Sequence, residues 1–234
     1  MLNDGNHIAQ ARHGWRRPVT LMLIAVNVAM FVFQNAADSG AFPVYKEFAL
    51  SVDGLKHGHF WQLITFQFLH LPLSDGGIFH LLGNLFVIHL FGKRLEETMG
   101  GTNFLKLYLV SGTMGGMLQM AGGWLSPENF GVAVVGASAG AFGLIAAYGT
   151  LFPREQLRPF FLPVGIRADV LLALGVTVTV AGLFLPSGHV AHCAHLGGIL
   201  TGFLFARQAM RKHPAPAMAA VEVKSSLNTI PAPD

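Results

Sequence analysis

The sequence predicts an all-α membrane protein built as a bundle of six transmembrane helices. Of its 234 residues, 52% are hydrophobic and only 12% are charged, and the mean hydropathy is +0.51. An ordinary soluble domain carries about twice that charged fraction. The shortage of charge extends along the chain, so neither a single anchor nor a signal peptide explains it. These observations favour a protein that crosses the membrane several times.

Six apolar runs define the predicted helices. A hydrocarbon core of roughly 30 Å needs about 20 helical residues. The runs that approach this length are 19–35, 80–95, 104–124, 138–152, 167–185 and 190–206. The long segment between the first two runs is too polar to cross, but it contains FWQLITFQFLHL at 60–71, which is typical of structure lying in the membrane interface. We therefore predict a membrane domain over 19–206, with an interfacial loop between helices 1 and 2.

The segments that flank this domain are predicted to lie in the cytoplasm. Residues 1–18 form an N-terminal segment, and 207–234 form a tail rich in proline and alanine that is expected to be disordered. In this orientation 13 of the 15 lysines and arginines fall on the cytoplasmic side, as the positive-inside rule requires. Because these charges are scattered over loops and form no basic stripe, no nucleic-acid partner is expected.

Polar residues at the starts of three predicted helices point to one functional site. In the predicted orientation, His80 with Asn84, Ser138 and His195 all enter the membrane from the extracytoplasmic side, and such residues tend to mark function. The helix that begins at Ser138 has 15 residues, or about 22 Å, so its start would be sunk by roughly 8 Å. His195 lies about 7 Å into its own helix. We therefore expect the serine and the histidine to meet in a water-filled recess.

These side chains suit acyl transfer. Neutral His195 would accept the hydroxyl proton of Ser138 as the oxygen attacks a peptide carbonyl. The backbone N–H of Ser138, with His80 and Asn84, would stabilise the oxyanion. None of the 12 acidic residues falls in the extracytoplasmic half of a predicted helix, so we expect a Ser–His dyad without the usual carboxylate. Phe142 lies one turn after the serine, where its ring is expected to pack on the imidazole.

Five short motifs resemble those of the rhomboid family of intramembrane serine proteases. They are FWQLITFQFLH before the second predicted helix, HLLGN at its start, GKRLEETMG at its end, GASAGAFG at the fourth helix and AHLGGILTG in the sixth. The resemblance covers about 19–206 and implies a bacterial-type, six-helix protease that cleaves single-span or other transmembrane proteins near their extracytoplasmic ends. It also implies a multi-pass protein of the bacterial inner membrane, embedded in the lipid bilayer, with no cofactor and no metal.

The resemblance assigns a role to each matching residue. It implies Ser138 as the nucleophile, His195 as the general base and acid, and His80 and Asn84 as oxyanion residues. Glycines four residues apart, a spacing typical of closely packed membrane helices, occur near both catalytic residues: Gly136, Gly140, Gly198 and Gly202.

The chain departs from the family pattern at three positions. Ala139 follows the serine where the family usually has glycine, although alanine keeps a backbone N–H. Phe142 stands where tyrosine is frequent, so the ring is kept and the hydroxyl is lost. Gln62 follows Trp61 where the family usually has arginine. Because that arginine has a structural role, we expect Gln62 to alter the stability of the interfacial loop rather than catalysis.

Three other interpretations fit parts of the sequence. The G-x-S-x-G pattern at 136–140 also occurs in α/β-hydrolases, but that fold needs a strand before the serine and alternating strands and helices. A metal transporter or metal-dependent membrane enzyme would use imidazole ligands, but no acidic residue and no H-E-x-x-H motif accompanies the candidates His70, His80, His89, His189, His192 and His195. The third, a catalytically dead rhomboid relative that binds membrane clients, would usually lack the serine or the histidine, and both are present.

Overall fold

A computed structural model describes residues 18–37, 43–158, 163–184 and 190–212. The helices in this part of the chain are α1 (Pro18–Ala37), α2 (Val44–Phe48), α3 (Val52–Lys56), α4 (Gln62–Thr65), α5 (Gly77–Met99), α6 (Gly101–Leu125), α7 (Pro127–Phe130), α8 (Ser138–Leu151), α9 (Ala168–Gly182) and α10 (His192–Lys212). Most of the predicted N-terminal segment and of the predicted tail lies outside the described residues, as do His189 and the end of the fifth predicted helix.

The described chain is mostly helical, as predicted, and each of the six apolar runs coincides with one long helix. Among the described residues, α1 is the one helix whose length and composition suffice to cross a membrane. Helices α8 and α9 are apolar but shorter, with 14 and 15 residues. The number of membrane crossings therefore stays a prediction.

Helix α8 lies at the centre of the described fold, in contact with α5, α6, α9 and α10. Its sequence, SAGAFGLIAAYGTL, is rich in small residues, and nine of its 14 residues are buried. Small side chains allow neighbouring backbones to approach closely. Toward its C-terminal end, Leu144 and Tyr148 are buried with Leu95 of α5 and Phe104 of α6 in the main apolar core. The core therefore fixes the helix whose first residue is Ser138.

A buried carboxylate connects α1 to α5. Glu96 accepts hydrogen bonds from the backbone N–H of Val19 at 3.0 Å, from the backbone N–H of Thr20 at 2.9 Å and from the Thr20 hydroxyl at 2.7 Å. The first N–H groups of a helix have no intrahelical acceptor and carry a partial positive charge, so an anion stabilises them. Glu96 thus caps α1 from a neighbouring helix.

The segment between α1 and α5 contains α2, α3, α4 and two short 3₁₀ turns, Phe66–Phe68 and Leu73–Asp75. Gln62, at the position where the family usually has arginine, is buried at the centre of this segment. Its side-chain oxygen accepts the N–H of Ser51 at 3.2 Å, and its amide nitrogen donates to the carbonyls of Lys46 at 3.1 Å and Glu47 at 3.3 Å. A neutral amide therefore joins three separate backbone groups of the segment.

A short antiparallel hairpin precedes α9, where the sequence predicts no strand. Strands β1 (Gln156–Leu157) and β2 (Ile166–Arg167) pair with Gln156 opposite Arg167. Arg167, expected as the first residue of the fifth helix, is instead the last residue of β2. Its guanidinium donates hydrogen bonds to the carboxylate of Asp169. Helix α9 consequently begins at Ala168.

Candidate active site

The structure brings Ser138 and His195 into hydrogen-bond contact. Ser138 is the first residue of α8, and His195 lies in the first turn of α10. The distance from Ser138 Oγ to His195 Nε2 is 2.9 Å. This distance suits an O–H···N hydrogen bond when the imidazole carries its proton on Nδ1. Residues 57 positions apart in sequence thus form the nucleophile–base geometry expected of a dyad.

Close contact between α8 and α10 sets this distance. A Cβ atom added to Gly198 would overlap the backbone carbonyl of Ala139, and one added to Gly202 would overlap the backbone carbonyl of Gly143. The two predicted glycines of α10 therefore lie at the place where the backbones of the two helices touch. Serine and histidine meet because nothing larger than hydrogen separates the helices there.

The two predicted glycines near Ser138 have different surroundings. Gly140 faces α6, where an added Cβ would lie 2.8 Å from the ring of Tyr108. Gly136 precedes α8 and does not pack one helix against another. Its φ angle of +128° belongs to a region that residues with a side chain rarely adopt. An added Cβ would also lie 2.8 Å from the imidazole of His80, so glycine is required here twice over.

Phe142 and His192 contact the imidazole of His195. The Phe142 ring stacks on it with centroids 4.3 Å apart and planes inclined by 25°, as expected from the sequence. The His192 ring meets it edge-on at 6.0 Å. His192 is 8% exposed, and its ring occupies the space that a side chain at Gly182 would fill. From the sequence, His192 is considered only as a candidate metal ligand; in the structure its ring lies against the imidazole of His195. The signal available was its i,i+3 spacing from His195 on one helix.

His80 and Asn84 lie on the side of the site formed by α5. His80 Nδ1 accepts the backbone N–H of Leu71 at 3.3 Å, so the neutral ring carries its proton on Nε2, the nitrogen that lies against Gly136. Asn84 is buried, and its side-chain nitrogen donates to the carbonyl oxygen of His80 at 2.8 Å. An amide has two N–H donors, which leaves Asn84 a second one.

One cavity of about 750 Å³ connects these side chains, since Ser138, His195, His80, Asn84 and Phe142 all line it. Residues 132–135, the chain that leads to α8, form another of its walls, together with apolar residues of α5 and α8. Its size is typical of a binding site for a small molecule or a short peptide. All five predicted polar and aromatic site residues therefore share one cavity.

The position of Ala139 and the acidic residues near the cavity can be compared with the sequence predictions. Ala139, where the family usually has glycine, is buried and does not line the cavity. Among the described residues that line the cavity, the one carboxylate is that of Asp75, which is exposed. Within the described part of the chain, no group of three or more histidine, cysteine, aspartate or glutamate side chains is arranged to hold a metal ion.

These observations define a mostly helical protein with a Ser–His pair in a cavity at the start of its central helix. The model of the Rhomboid domain matches residues 57–212, and the chain therefore belongs to the rhomboid family. The members of this family are embedded in membranes and act as intramembrane proteases or are related pseudoproteases.

Several named proteins are similar to this chain. Rhomboid protein 1, mitochondrial, of Saccharomyces cerevisiae is 33% identical over 136 residues, covering 56% of this chain and 38% of the relative. RHOMBOID-like protein 1 of Arabidopsis thaliana is 33% identical over 160 residues, covering 67% of this chain and 36% of the relative. Presenilin-associated rhomboid-like protein, mitochondrial, of Homo sapiens is 28% identical over 133 residues, covering 56% of this chain and 35% of the relative.

The chain thus matches only about a third of the length of each of these relatives. Two of the three are named as mitochondrial, which does not support the bacterial inner membrane predicted from the resemblance.

Proposed function

We propose that this protein is an intramembrane serine endopeptidase that cleaves transmembrane proteins, single-span ones included, near their extracytoplasmic ends. The observation that carries the proposal is the 2.9 Å contact between Ser138 Oγ and His195 Nε2 inside a cavity of about 750 Å³. A pair that served only to pack two helices would not need a cavity able to hold a peptide segment.

The proposal includes six membrane crossings, formed by α1, α5, α6, α8, α9 and α10. Helices α8 and α9 are too short to span a core of roughly 30 Å by themselves. Non-helical chain is tolerated at depth where it lines a cavity, and residues 132–135 before α8 do so. Both termini lie on the side that carries most of the lysines and arginines. A bacterial inner membrane stays a prediction.

Acylation begins with proton transfer. His195 Nε2 takes the hydroxyl proton of Ser138 while Oγ bonds to the carbonyl carbon of the scissile peptide, and the π electrons of the carbonyl move to its oxygen. The tetrahedral intermediate then collapses and the C–N bond breaks. His195 returns its proton to the departing amine, which leaves an ester on Ser138.

Deacylation repeats these steps with water. His195 removes a proton from a water molecule, the oxygen bonds to the ester carbon, and the second tetrahedral intermediate expels Ser138 Oγ. The proton held by the imidazole goes back to the serine, and the new carboxyl terminus leaves. The enzyme needs no cofactor for either half of this reaction.

The negative charge that develops on the carbonyl oxygen needs hydrogen-bond donors. The Nε2–H of His80, fixed by the bond between Nδ1 and Leu71, and the second N–H of Asn84 are side-chain donors on the cavity wall. Backbone N–H groups in the first turn of α8 have no intrahelical acceptor and add a partial positive charge. Loss of one such donor commonly lowers kcat by about 10²–10³.

The imidazole also needs a fixed orientation, which a carboxylate provides in most serine proteases. Here the stacked ring of Phe142 on one side and the edge of His192 on another restrict its rotation. Both neighbours are neutral when His192 is unprotonated, so the positive charge formed on His195 during catalysis depends on the oxyanion beside it for compensation.

The test uses the full chain, purified in detergent and returned to liposomes with a panel of single-span proteins. We expect cleavage at a site that mass spectrometry maps near the extracytoplasmic end, and complete loss of cleavage in Ser138→Ala and His195→Ala. Ser74→Ala and His57→Ala, which change an exposed serine and an exposed histidine outside the cavity, serve as matched controls.

A fluorophosphonate probe, which reacts with activated serines, gives a readout that needs no substrate. It should label Ser138 in the native chain and fail to label His195→Ala. Cleavage that survives in either dyad variant contradicts the mechanism. Folded native protein that neither cleaves any member of the panel nor takes up the probe would instead identify a pseudoprotease.

A further inference from the structure

A second cavity, of about 480 Å³, lies at the end of α8 remote from Ser138. Residues from the end of α5, the end of α8 and the turn after α8 line it, and they are Arg94, Leu151, Phe152, Pro153, Arg154 and Glu155. The dyad and the peptidase mechanism make no use of this cavity. In the proposed membrane arrangement it opens at the cytoplasmic surface.

Of the described residues that line this cavity, Glu155 supplies the one carboxylate, and this carboxylate already has partners. Glu155 accepts a hydrogen bond from the Tyr148 hydroxyl at 2.7 Å and lies 3.7 Å from the guanidinium of Arg94. That guanidinium also lies 4.8 Å from the centre of the Phe152 ring, a cation–π contact that holds it in place. The two guanidinium groups and one carboxylate among the described lining residues sum to a formal charge of +1.

Arg154 supplies the uncompensated charge. It is exposed, and the described part of the chain contains no hydrogen-bond or ion-pair partner for it. Leu151, Phe152 and Pro153 come immediately before it and add apolar surface to the same cavity. A guanidinium binds phosphate oxygens through paired N–H groups. A site with a cation beside apolar surface at a membrane boundary is complementary to a phosphate that carries acyl chains.

We propose that this cavity binds the phosphate of an anionic phospholipid headgroup in the cytoplasmic leaflet. Arg154 and Arg94 would bind the phosphate oxygens, which a lipid headgroup and free phosphate have in common. The start of the acyl chains would lie against Leu151 and Phe152. Basic pockets between helices on this side of a membrane are suited to such headgroups. The proposal rests on the membrane arrangement proposed above and is independent of peptidase activity.

The experiment measures thermal unfolding of the full chain in a neutral detergent, with added dioctanoyl phosphatidylglycerol, dioctanoyl phosphatidylcholine or inorganic phosphate. We expect phosphatidylglycerol to raise the Tm saturably, and the other two to have little effect at equal concentration. In Arg154→Gln, the concentration that gives half of the shift should rise about fivefold, because one basic residue near the surface contributes about 1 kcal/mol.

Arg211→Gln is the matched control, since Arg211 is also exposed, lies on the same proposed side and does not line the cavity. It should respond to the lipid like the native chain. An equal loss in both variants would show attraction by overall charge, and an equal effect of phosphatidylcholine would show the absence of headgroup recognition. Protection by inorganic phosphate alone would show a site for a free anion. Each of these outcomes overturns the proposal.

The same titration in the Ser138→Ala background separates this proposal from the proposed function. We expect an unchanged lipid response there, because the cavity lies at the other end of α8. A lipid response that disappears with Ser138 would place the lipid in the dyad cavity and would overturn the cytoplasmic site.

Discussion

The two sides of the dyad cavity are held in place by different forces. Ser138 and His195 are fixed by direct contact between the backbones of α8 and α10 at glycines. The segment leading to His80 is fixed by polar side chains that bond to backbone. Gln34 of α1 exchanges two hydrogen bonds with the backbone of His70, at 3.0 Å and 2.7 Å, and Gln62 joins three more backbone groups.

This difference has a consequence for tolerance to substitution. A packed backbone contact has no free volume, so any added atom must push the helices apart. A hydrogen-bonded segment loses stability in increments, because each lost partner costs about 1–3 kcal/mol and leaves the others intact. We expect the dyad side to fail abruptly and the oxyanion side to weaken gradually.

The largest effect is expected for Gly198→Ala. The new methyl group would overlap the carbonyl of Ala139 in α8 and separate the helices that carry the dyad. A displacement of about 1 Å at reacting groups can lower the rate by about 100-fold, and overpacking costs about 1–3 kcal/mol of stability. The measurement is the cleavage rate per folded molecule, with the folded fraction taken from thermal unfolding of the same sample.

Gly175→Ala is the matched control for this prediction. An added Cβ at Gly175 of α9 would lie 3.4 Å from the Phe142 ring, which is an ordinary contact. Alanine is also favoured over glycine inside a helix by up to about 1 kcal/mol. This variant should keep its activity and its Tm. Equal loss in both variants would mean that the α8–α10 contact has no special role.

A smaller, graded effect is expected for Gln62→Ala. The substitution removes one acceptor and one donor, and leaves the N–H of Ser51 and the carbonyls of Lys46 and Glu47 without this partner. We expect a loss of about 1–3 kcal/mol in unfolding free energy, with a cleavage rate reduced by less than about tenfold, because the dyad contact is unchanged. Thermal unfolding and the reporter assay measure the two quantities.

Gln208→Ala removes an exposed glutamine of α10 and should change neither quantity. If Gln62→Ala abolished cleavage while remaining folded, the interfacial segment would be as intolerant as the glycine contact. The comparison between the two sides of the cavity would then fail.

The sequence was sufficient to predict which side chains share the cavity. Ser138, His195, His80 and Asn84 stand at helix starts, and helix length converts a position in the sequence into a depth in the membrane. It was not sufficient to predict which neighbour each glycine faces, because Gly140 fits a helix contact with α6 as well as with α10. The burial of His192 depends on Gly182, whose missing side chain leaves room for the ring, and no local pattern reports such a long-range fit.

The hairpin before α9 and the role of Gln62 were also beyond the sequence. Two-residue strands are too short to show the alternation of apolar and polar residues that predicts a strand. Gln62 can approach the backbone closely because Gly54 has no side chain in the space beside it. The hydrogen bonds of Gln62, at the position where the family usually has arginine, therefore require glycine at position 54, which lies outside the motif.

The smallest effect is a pH dependence of stability on the hydrogen-bonded side of the cavity. His70, between Phe31 and His80, is fully buried, and neither ring nitrogen makes a hydrogen bond of normal geometry with a described residue. Burial, reinforced by the nearby imidazole of His80 and partly offset by the backbone of Phe68, lowers the pKa of His70 from 6.5 to about 3. His70 therefore becomes protonated below about pH 6.5 in the unfolded chain, but only below about pH 3 in the folded chain. This contribution to stability is complete above pH 6.5 and is lost as the pH falls.

The loss should be about 1.4 kcal/mol for each pH unit below 6.5. His70→Leu removes the titrating group. As the pH is lowered from 7.5 to 5.5, the Tm of the native chain should therefore fall by more than the Tm of this variant. His57→Gln, which replaces an exposed histidine, should keep the pH dependence of the native chain. A difference between His70→Leu and the native chain that stays constant with pH would mean that His70 is protonated or solvated in the folded state. His70 would then contribute nothing to the acid sensitivity of the hydrogen-bonded side of the cavity.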